Sequence, residues 1–170
     1  LTKISSLKKD KNISLQAENF RKMLLTLNDD VRVIIIKIAH RLHNMQTMDA
    51  MPEYKQVKIA SETLYIYAPL AHRIGLYNVK TELEDLSLKY TEPQRYLSIK
   101  SKIEESYDEQ ENYIKTFSKF LSQELDKERL NYNIKGRNKS IYSIHRKMLI
   151  QNIAFENIFD KFAMRIVFKS

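Results

Sequence analysis

Several residue types are absent or scarce in this 170-residue chain, which has no cysteine, two glycines and three prolines. Without cysteine there can be no disulfide scaffold, thiolate nucleophile or cysteine-based zinc site. A glycine-rich phosphate loop and a dinucleotide-binding fingerprint each need several glycines, and two glycines exclude both. Any nucleotide must therefore be held by side chains. No apolar stretch approaches the roughly 20 residues of a membrane span, and the N-terminal residues lack a signal-peptide core. We therefore expect a cytoplasmic protein without membrane contact.

Charge is the strongest compositional feature, because the formal net charge is +8 while 43% of the residues are apolar. This balance is typical of a globular protein with a polyanionic partner such as nucleotide phosphate, nucleic acid or an anionic surface. Residues 131–155 contain five cations and no acid, namely Lys135, Arg137, Lys139, Arg146 and Lys147. Plain nucleic-acid binding is less favoured, since few aromatic residues lie between these cations to stack on bases.

Apolar residues spaced three and four apart predict a mainly helical chain up to about residue 130. Helices are predicted over residues 15–27, from residue 31 through 45, and over 55–71, 79–88 and 96–130. Asn28, Asp29 and Asp30 predict a cap at the start of the second helix, and Pro69 predicts a kink or restart in the third. The second helix is apolar on most of its early circumference, so we expect it to be largely buried.

The pattern changes after residue 130, where the sequence predicts the start of an α+β domain. Residues 130–134 and 162–168 alternate like strands, residues 140–150 are helical, and Gly136 is expected to interrupt the first strand. We therefore predict two domains, residues 1–92 and residues 93–170.

The predicted helix at 140–150, with the residue before it, carries a polar face. The members of this face recur at helical spacing and are Lys139, Ser143, Arg146 and Lys147. They lie near a helix N-terminus, where the helix dipole favours anions, so a polyphosphate site is one interpretation. A solvated basic surface is the other, and spacing alone does not decide between them. Asp160 precedes the second strand, where it is either a cap or turn residue or a ligand for Mg²⁺ beside that site.

The predicted helix after Asp30 contains the sequence His-Arg-Leu-His-Asn, in which His40, His43 and Asn44 can face one cavity. A metal site would need further ligands, and no acid lies on the same face. His43 is equally well interpreted as a core histidine with satisfied hydrogen bonds. His145, like His72, is isolated in sequence, and we expect it at the surface or in local hydrogen bonds.

Six sequence blocks, in this order, resemble the RelA/SpoT family of the bacterial stringent response, which makes and degrades the alarmones ppGpp and pppGpp. The blocks are QAENFRKML at 16–24, IKIAHRLHNM at 36–45, IYAPLAHRIG at 66–75, KTELED at 80–85, GRNKSIYSIHRKM at 136–148 and FDKFAMRIV at 159–167. Together they cover essentially the whole chain.

The resemblance implies an all-helical HD-type hydrolase domain, which uses Mn²⁺ to remove the 3′-pyrophosphate of (p)ppGpp. It implies a following nucleotidyltransferase-like α+β synthetase domain, which transfers pyrophosphate from ATP to the 3′-hydroxyl of GDP or GTP with Mg²⁺. The chain is then expected to be an internal fragment, inactive alone, that joins the end of the first domain and a helical connector to the start of the second. Contacts with ribosome and transfer RNA would belong to C-terminal domains outside it.

The resemblance also implies residue roles in the synthetase half. It implies an ATP-phosphate site formed by Arg137, Lys139, Ser143, Arg146 and Lys147. Asp160 matches the family's catalytic ligand for Mg²⁺, which agrees with its position just after the basic helix.

The hydrolase half departs from the family pattern at one position. Active hydrolases usually read Ala-Asp-Arg-Leu-His-Asn-Met, whereas this chain has His40 in place of the Mn²⁺-binding aspartate and retains Asn44 near the expected nucleotide. Exchanging a carboxylate for a neutral imidazole weakens a site for a metal that favours oxygen ligands. We expect a (p)ppGpp synthetase with a degenerate hydrolase domain. The alternatives are a bifunctional enzyme in which His40 still supports hydrolysis, and a remnant domain that binds guanine nucleotide only to regulate synthesis.

Overall fold

The computed structural model describes residues 30–128 and 131–168, apart from the side chains of residues 108–110, 137 and 138. The helix predicted over residues 15–27 lies outside these residues. The chain divides into two compact units, Leu1–Ser87 and Leu88–Ser170. The functional division between residues 92 and 93 stays a prediction, because compactness assigns no function to either unit. Among the described helices, none combines the length and the apolar character needed to cross a membrane.

The described part of the first unit is helical, as the sequence predicts. Its elements are α1 (Val31–Gln46), a 3₁₀ turn (Met48–Ala50), α2 (Glu53–Glu62), α3 (Ala68–Arg73) and α4 (Tyr77–Thr91), which continues into the second unit. Asp30 caps α1, since its Oδ1 accepts a hydrogen bond from the backbone N–H of Arg32 at 2.9 Å. This confirms the predicted start of α1 and satisfies one of the donors that a helix N-terminus leaves unpaired.

Helix α1 is buried along one stripe only, so the prediction of a largely buried helix is wrong for the described residues. Its fully buried side chains are those of Ile34, Ile38 and Met45. Its exposed apolar side chains are Val31, Val33, Ile35 and Ile36, which retain 37–56% of their accessible surface. The buried residues are four and seven apart and face one side, whereas those between them project elsewhere.

The break predicted at Pro69 takes the form of a π-helical segment, Thr63–Tyr67, between α2 and α3. Proline lacks an N–H and its ring clashes with the carbonyl one turn earlier, and a wider turn relieves both conflicts. The hydroxyl of Thr63 donates to the carbonyl of Ile59 at 2.7 Å and lies 3.3 Å from Sδ of Met45, which ties the segment to α1.

The second unit contains helices and a two-stranded sheet. Its elements are α5 (Pro93–Glu105), α6 (Tyr107–Lys127), β1 (Tyr132–Asn138), α7 (Ile141–Gln151), a 3₁₀ turn (Phe155–Asn157) and β2 (Phe162–Phe168). The sequence predicted one helix from residue 96 to 130, but the structure divides it at Ser106. The Ser106 hydroxyl donates to the carbonyls of Lys102 at 2.9 Å and Ile103 at 3.2 Å, a local bond that competes with the helical pattern.

Gly136 lies inside β1 and does not interrupt it, contrary to the prediction. The two strands are antiparallel, and Gly136 lies opposite Met164 in their register. A Cβ at this position would lie 2.9 Å from Cγ2 of Ile114 on α6. The missing side chain therefore permits the close approach of α6 to the sheet.

Helix α7 is held against α5 by a small apolar core. The buried members of this core are Ile99, Ile144, Phe155 and Ile158, each at most 4% exposed. Ile144 anchors the inner face of α7, and Lys147, one turn further along, keeps about one-third of its side chain exposed at 29%. The core thereby fixes the orientation of the basic helix.

Candidate functional site

A side-chain cap fixes the start of α7, and a backbone hydrogen bond holds the residue before it close to the segment that precedes β2. Ser140 caps α7: its Oγ accepts from the N–H of Ser143 at 3.2 Å, and its hydroxyl lies 2.8 Å from Oγ of Ser143. The N–H of Lys139 donates to the carbonyl of Lys161 at 2.9 Å, which extends the contact between the two strands by one residue pair. The residues around position 139 and position 160 therefore share one edge of the unit.

A carboxylate flanked by two lysines lies at this edge. The ammonium group of Lys139 donates to Oδ2 of Asp160, and that of Lys147 donates to Oδ1. The side chains of the two lysines are about one-third exposed, at 32% and 29%, and that of Asp160 is 49% exposed. We call these three residues the lysine–aspartate centre, which is reachable from solvent and carries one positive charge in total.

The two lysines keep Asp160 ionised. The hydrogen bonds from Lys139 and then from Lys147 lower the pKa of Asp160 from 3.8 to about 2. The carboxylate is thus negative at any physiological pH. Because these side chains are partly exposed, water screens the attraction, so it contributes little to folding stability.

The other three residues of the predicted phosphate site are Arg137, Ser143 and Arg146, and the side chain of one of them is not described. Ser143 lies one turn before Lys147 on α7 and is partly exposed, and Arg146 is exposed. The backbone of Arg137 lies in β1 opposite Ala163, but its side chain is outside the described part. The structure therefore brings together one cation before the helix, one cation on the helix and the carboxylate before β2.

The lysine–aspartate centre fits a divalent cation that arrives with phosphate better than a cation alone. Mg²⁺ is usually held by one or two carboxylates together with phosphate oxygens and water, and Asp160 supplies one carboxylate. The lysines supply charge-assisted hydrogen bonds for phosphate oxygens. No group of three or more His, Cys, Asp or Glu side chains that could hold a metal by itself occurs in the described residues.

The residues predicted for the hydrolase site do not form a metal centre in the described part of the chain. His40, His43 and Asn44 are all exposed on α1, and no cluster of metal-binding side chains includes them. Between them, Arg41 donates to Oε2 of Glu62 at 3.0 Å, and its guanidinium lies 4.1 Å from the ring centre of Tyr67. These contacts anchor the turn of α1 that carries His40. A Mn²⁺ site at His40 stays a prediction.

His145 was expected at the surface or in local bonds, but it is only 4% exposed. Arg95 donates to its Nε2 at 3.3 Å, and Oε2 of Glu92 lies 3.8 Å from the same nitrogen. Because arginine has no acceptor, Nε2 must accept, so the neutral ring carries its proton on Nδ1. That nitrogen is buried without a partner among the described residues, and burial lowers the pKa of His145. The sequence offered one signal for this burial, the neighbouring apolar residue Ile144 on the core face.

Comparison with known proteins relates these features to a family. A family model described as an HD domain matches residues 1–77. A GTP pyrophosphokinase from Myxococcus xanthus is 44% identical over 98% of this chain and 22% of its own length. A probable guanosine-3′,5′-bis(diphosphate) 3′-pyrophosphohydrolase from Synechocystis sp. is 44% identical over 100% of this chain and 22% of its own length. The enzyme of that name from Haemophilus influenzae is 38% identical over 100% of this chain and 25% of its own length.

These matches define an HD-containing class of proteins named for guanosine polyphosphate synthesis and hydrolysis. Over 98–100% of its length the chain is similar to these proteins, which confirms the resemblance to the RelA/SpoT family carried by the six sequence blocks. It spans between 22% and 25% of the length of these three relatives.

Proposed function

We propose that the protein containing this chain is a (p)ppGpp synthetase, a GTP pyrophosphokinase that transfers pyrophosphate from ATP to the 3′-hydroxyl of GDP or GTP. The observation that carries the proposal is the lysine–aspartate centre beside the N-terminus of α7. A carboxylate and two cations in reach of solvent match the needs of a polyphosphate with a divalent cation. The naming of the Myxococcus xanthus relative as a GTP pyrophosphokinase supports it further.

In this proposal the chain contributes positioning and charge neutralisation. Lys139 and Lys147 bind the ATP phosphates, with Arg137, Ser143 and Arg146 as further contacts of the same substrate. Their cations stabilise negative charge that develops as pyrophosphate is transferred. Asp160 is the catalytic carboxylate of this segment and would hold Mg²⁺, which when bound supplies further charge neutralisation at the phosphates.

The test is pyrophosphate transfer from ATP to GDP by the whole protein, compared between Lys147→Met and the matched control Lys127→Met. Lys127 is an exposed lysine of α6 that pairs with Glu124 at 2.6 Å and belongs to no predicted site. We expect Lys147→Met to lower the rate by about 10²-fold or more, as loss of a charge-stabilising group does. Equal rates for the two variants would contradict the proposal.

Hydrolysis of (p)ppGpp by the same protein is a second candidate. It is favoured by the HD-domain match and by the two relatives named as 3′-pyrophosphohydrolases. The exposed His40 and its replacement of a carboxylate favour a weak or absent activity. The test is Mn²⁺-dependent hydrolysis by the whole protein and by His40→Asp. Activity only in the variant supports a degenerate site, equal activity supports a bifunctional enzyme, and nucleotide binding without turnover supports a regulatory role.

A further inference from the structure

Asp160 is bonded to two cations at once, and those cations belong to the site proposed for phosphate. Its Oδ2 accepts from Lys139 and its Oδ1 accepts from Lys147. The three side chains are thus assigned to ligands of opposite charge, the lysines to an anion and the aspartate to a cation. Neither ligand can bind at full strength while the lysines and the aspartate are bonded to each other.

We propose that the lysine–aspartate centre couples the binding of polyphosphate to the binding of a divalent cation. A polyphosphate draws the ammonium groups of Lys139 and Lys147 away, which frees the Asp160 oxygens for the cation. A cation at Asp160 in turn frees the lysines for phosphate, and by thermodynamic reciprocity each ligand strengthens the other by the same factor. The inference rests on the proposed function, from which it takes that a polyphosphate binds these lysines.

The exchange of partners requires side-chain motion alone. The backbone of Lys139 is tied to Lys161 by a 2.9 Å hydrogen bond, and Lys147 lies on a helix whose start is capped by Ser140. A lysine side chain is a flexible four-carbon stem that can move its charge by rotation. The half-exposed carboxylate of Asp160 lets a ligand from solvent compete for the same groups.

The size of the coupling follows from the exposure of the two ion pairs. Exposed pairs of this kind contribute little each, and two of them together correspond to a factor of about 2 to 30 in a binding constant. Breaking them should therefore cost a metal-free polyphosphate about that factor in affinity. Removing the carboxylate should restore the affinity for metal-free polyphosphate by the same factor.

The experiment is isothermal titration of the whole protein with inorganic tripolyphosphate, for the unmodified protein and for Asp160→Asn. Without divalent cation, in the presence of a chelator, we expect Asp160→Asn to bind tripolyphosphate about 2- to 30-fold more tightly. With the preformed Mg²⁺–tripolyphosphate complex the order should reverse, because the variant has lost its ligand for the cation. This reversal of sign is measured as binding and requires no turnover.

Glu156→Gln is the matched control, since Glu156 is an exposed carboxylate in the same unit that pairs with Lys102 at 2.5 Å. It removes the same charge but frees neither lysine of the centre, so we expect less than about a twofold change, because water and salt screen the effect of an exposed charge. Asp160→Ala is a second variant, which removes the charge and both acceptor oxygens, whereas Asp160→Asn keeps one acceptor oxygen. It should bind metal-free tripolyphosphate as tightly as Asp160→Asn does.

A further variant separates release of the lysines from simple repulsion between carboxylate and phosphate. In a Lys147→Met background one of the two pairs is already absent, so the gain from Asp160→Asn should shrink. A gain that persists in full there, or no gain in the unmodified background, overturns the inference even if Lys147→Met weakens tripolyphosphate binding. If Lys147→Met leaves tripolyphosphate binding unchanged with and without Mg²⁺, the proposed function fails at this site and the inference fails with it.

Discussion

Gly136→Ala tests how closely α6 approaches the sheet. Alanine is preferred over glycine inside a regular element by about 0.5–1 kcal/mol, since glycine loses more backbone freedom on folding. Here the new Cβ would lie 2.9 Å from Cγ2 and 3.6 Å from Cδ1 of Ile114, and the nearer atom is on a stiff β-branched carbon. Overpacking of this kind typically costs about 1–3 kcal/mol. The clash should outweigh the backbone gain, for a net loss of up to about 2.5 kcal/mol in the free energy of unfolding.

A double-mutant cycle isolates the cause of that loss. Ile114→Ala removes both methyl groups that the new Cβ would meet. In that background Gly136→Ala should stabilise the protein by about 0.5–1 kcal/mol, because only the backbone term remains. The assay is urea denaturation of all four variants, followed by far-UV circular dichroism. If Gly136→Ala stabilises the protein while Ile114 is still present, α6 does not lie as close to β1 as described.

Three further changes test the core, the cap and the buried histidine. Ile144→Ala should lower the free energy of unfolding by about 2–5 kcal/mol, because it empties a fully buried site, whereas the exposed Arg146→Ala should change it by less than about 0.5 kcal/mol. Ser140→Ala should lose about 1 kcal/mol in the same denaturation assay, and Ser140→Asp should retain most of it. Burial lowers the pKa of His145 below its ordinary 6.5, so the unfolded chain takes up its proton first and stability should fall as the pH drops below 6.5. His145→Phe should reduce that fall when unfolding is compared at pH 7.5 and pH 5.5, and an unchanged fall would show that His145 does not cause it.

Local sequence signals predicted the helix starts well. The oxygen-bearing side chains of residues 28–30 were recognisable as capping candidates before a periodic apolar run, and Asp30 accepts the expected backbone N–H. Ser140 caps α7 in the same way, but that cap was not predicted. Breaks inside elements were harder to place. The helix break at Ser106 coincides with a local bond from its hydroxyl to the carbonyl of Lys102, and Gly136 continues a strand where a neighbouring helix comes close. Serine and glycine each occur both inside elements and at their ends, so residue type alone does not place a break.

The candidate site was also predictable only in part. Spacing alone predicted one face for Lys139, Ser143, Arg146 and Lys147, because residues three, four and seven apart lie close together on a helix. The contact of Lys139 and Lys147 with Asp160 depends on the antiparallel register of β1 and β2, which no local pattern determines. The bond between Arg95 and His145 joins two helices far apart in sequence, so it could not be predicted either.

The most direct test of the assignment to the ATP phosphates uses the whole protein carrying Lys139→Met. The KM values for ATP and for GDP are measured separately in pyrophosphate transfer. We predict that kcat/KM for ATP falls by about 10²-fold, while the KM for GDP changes by less than about twofold. A rise in the KM for GDP with unchanged kinetics for ATP would contradict the assignment of the lysine–aspartate centre to the ATP phosphates.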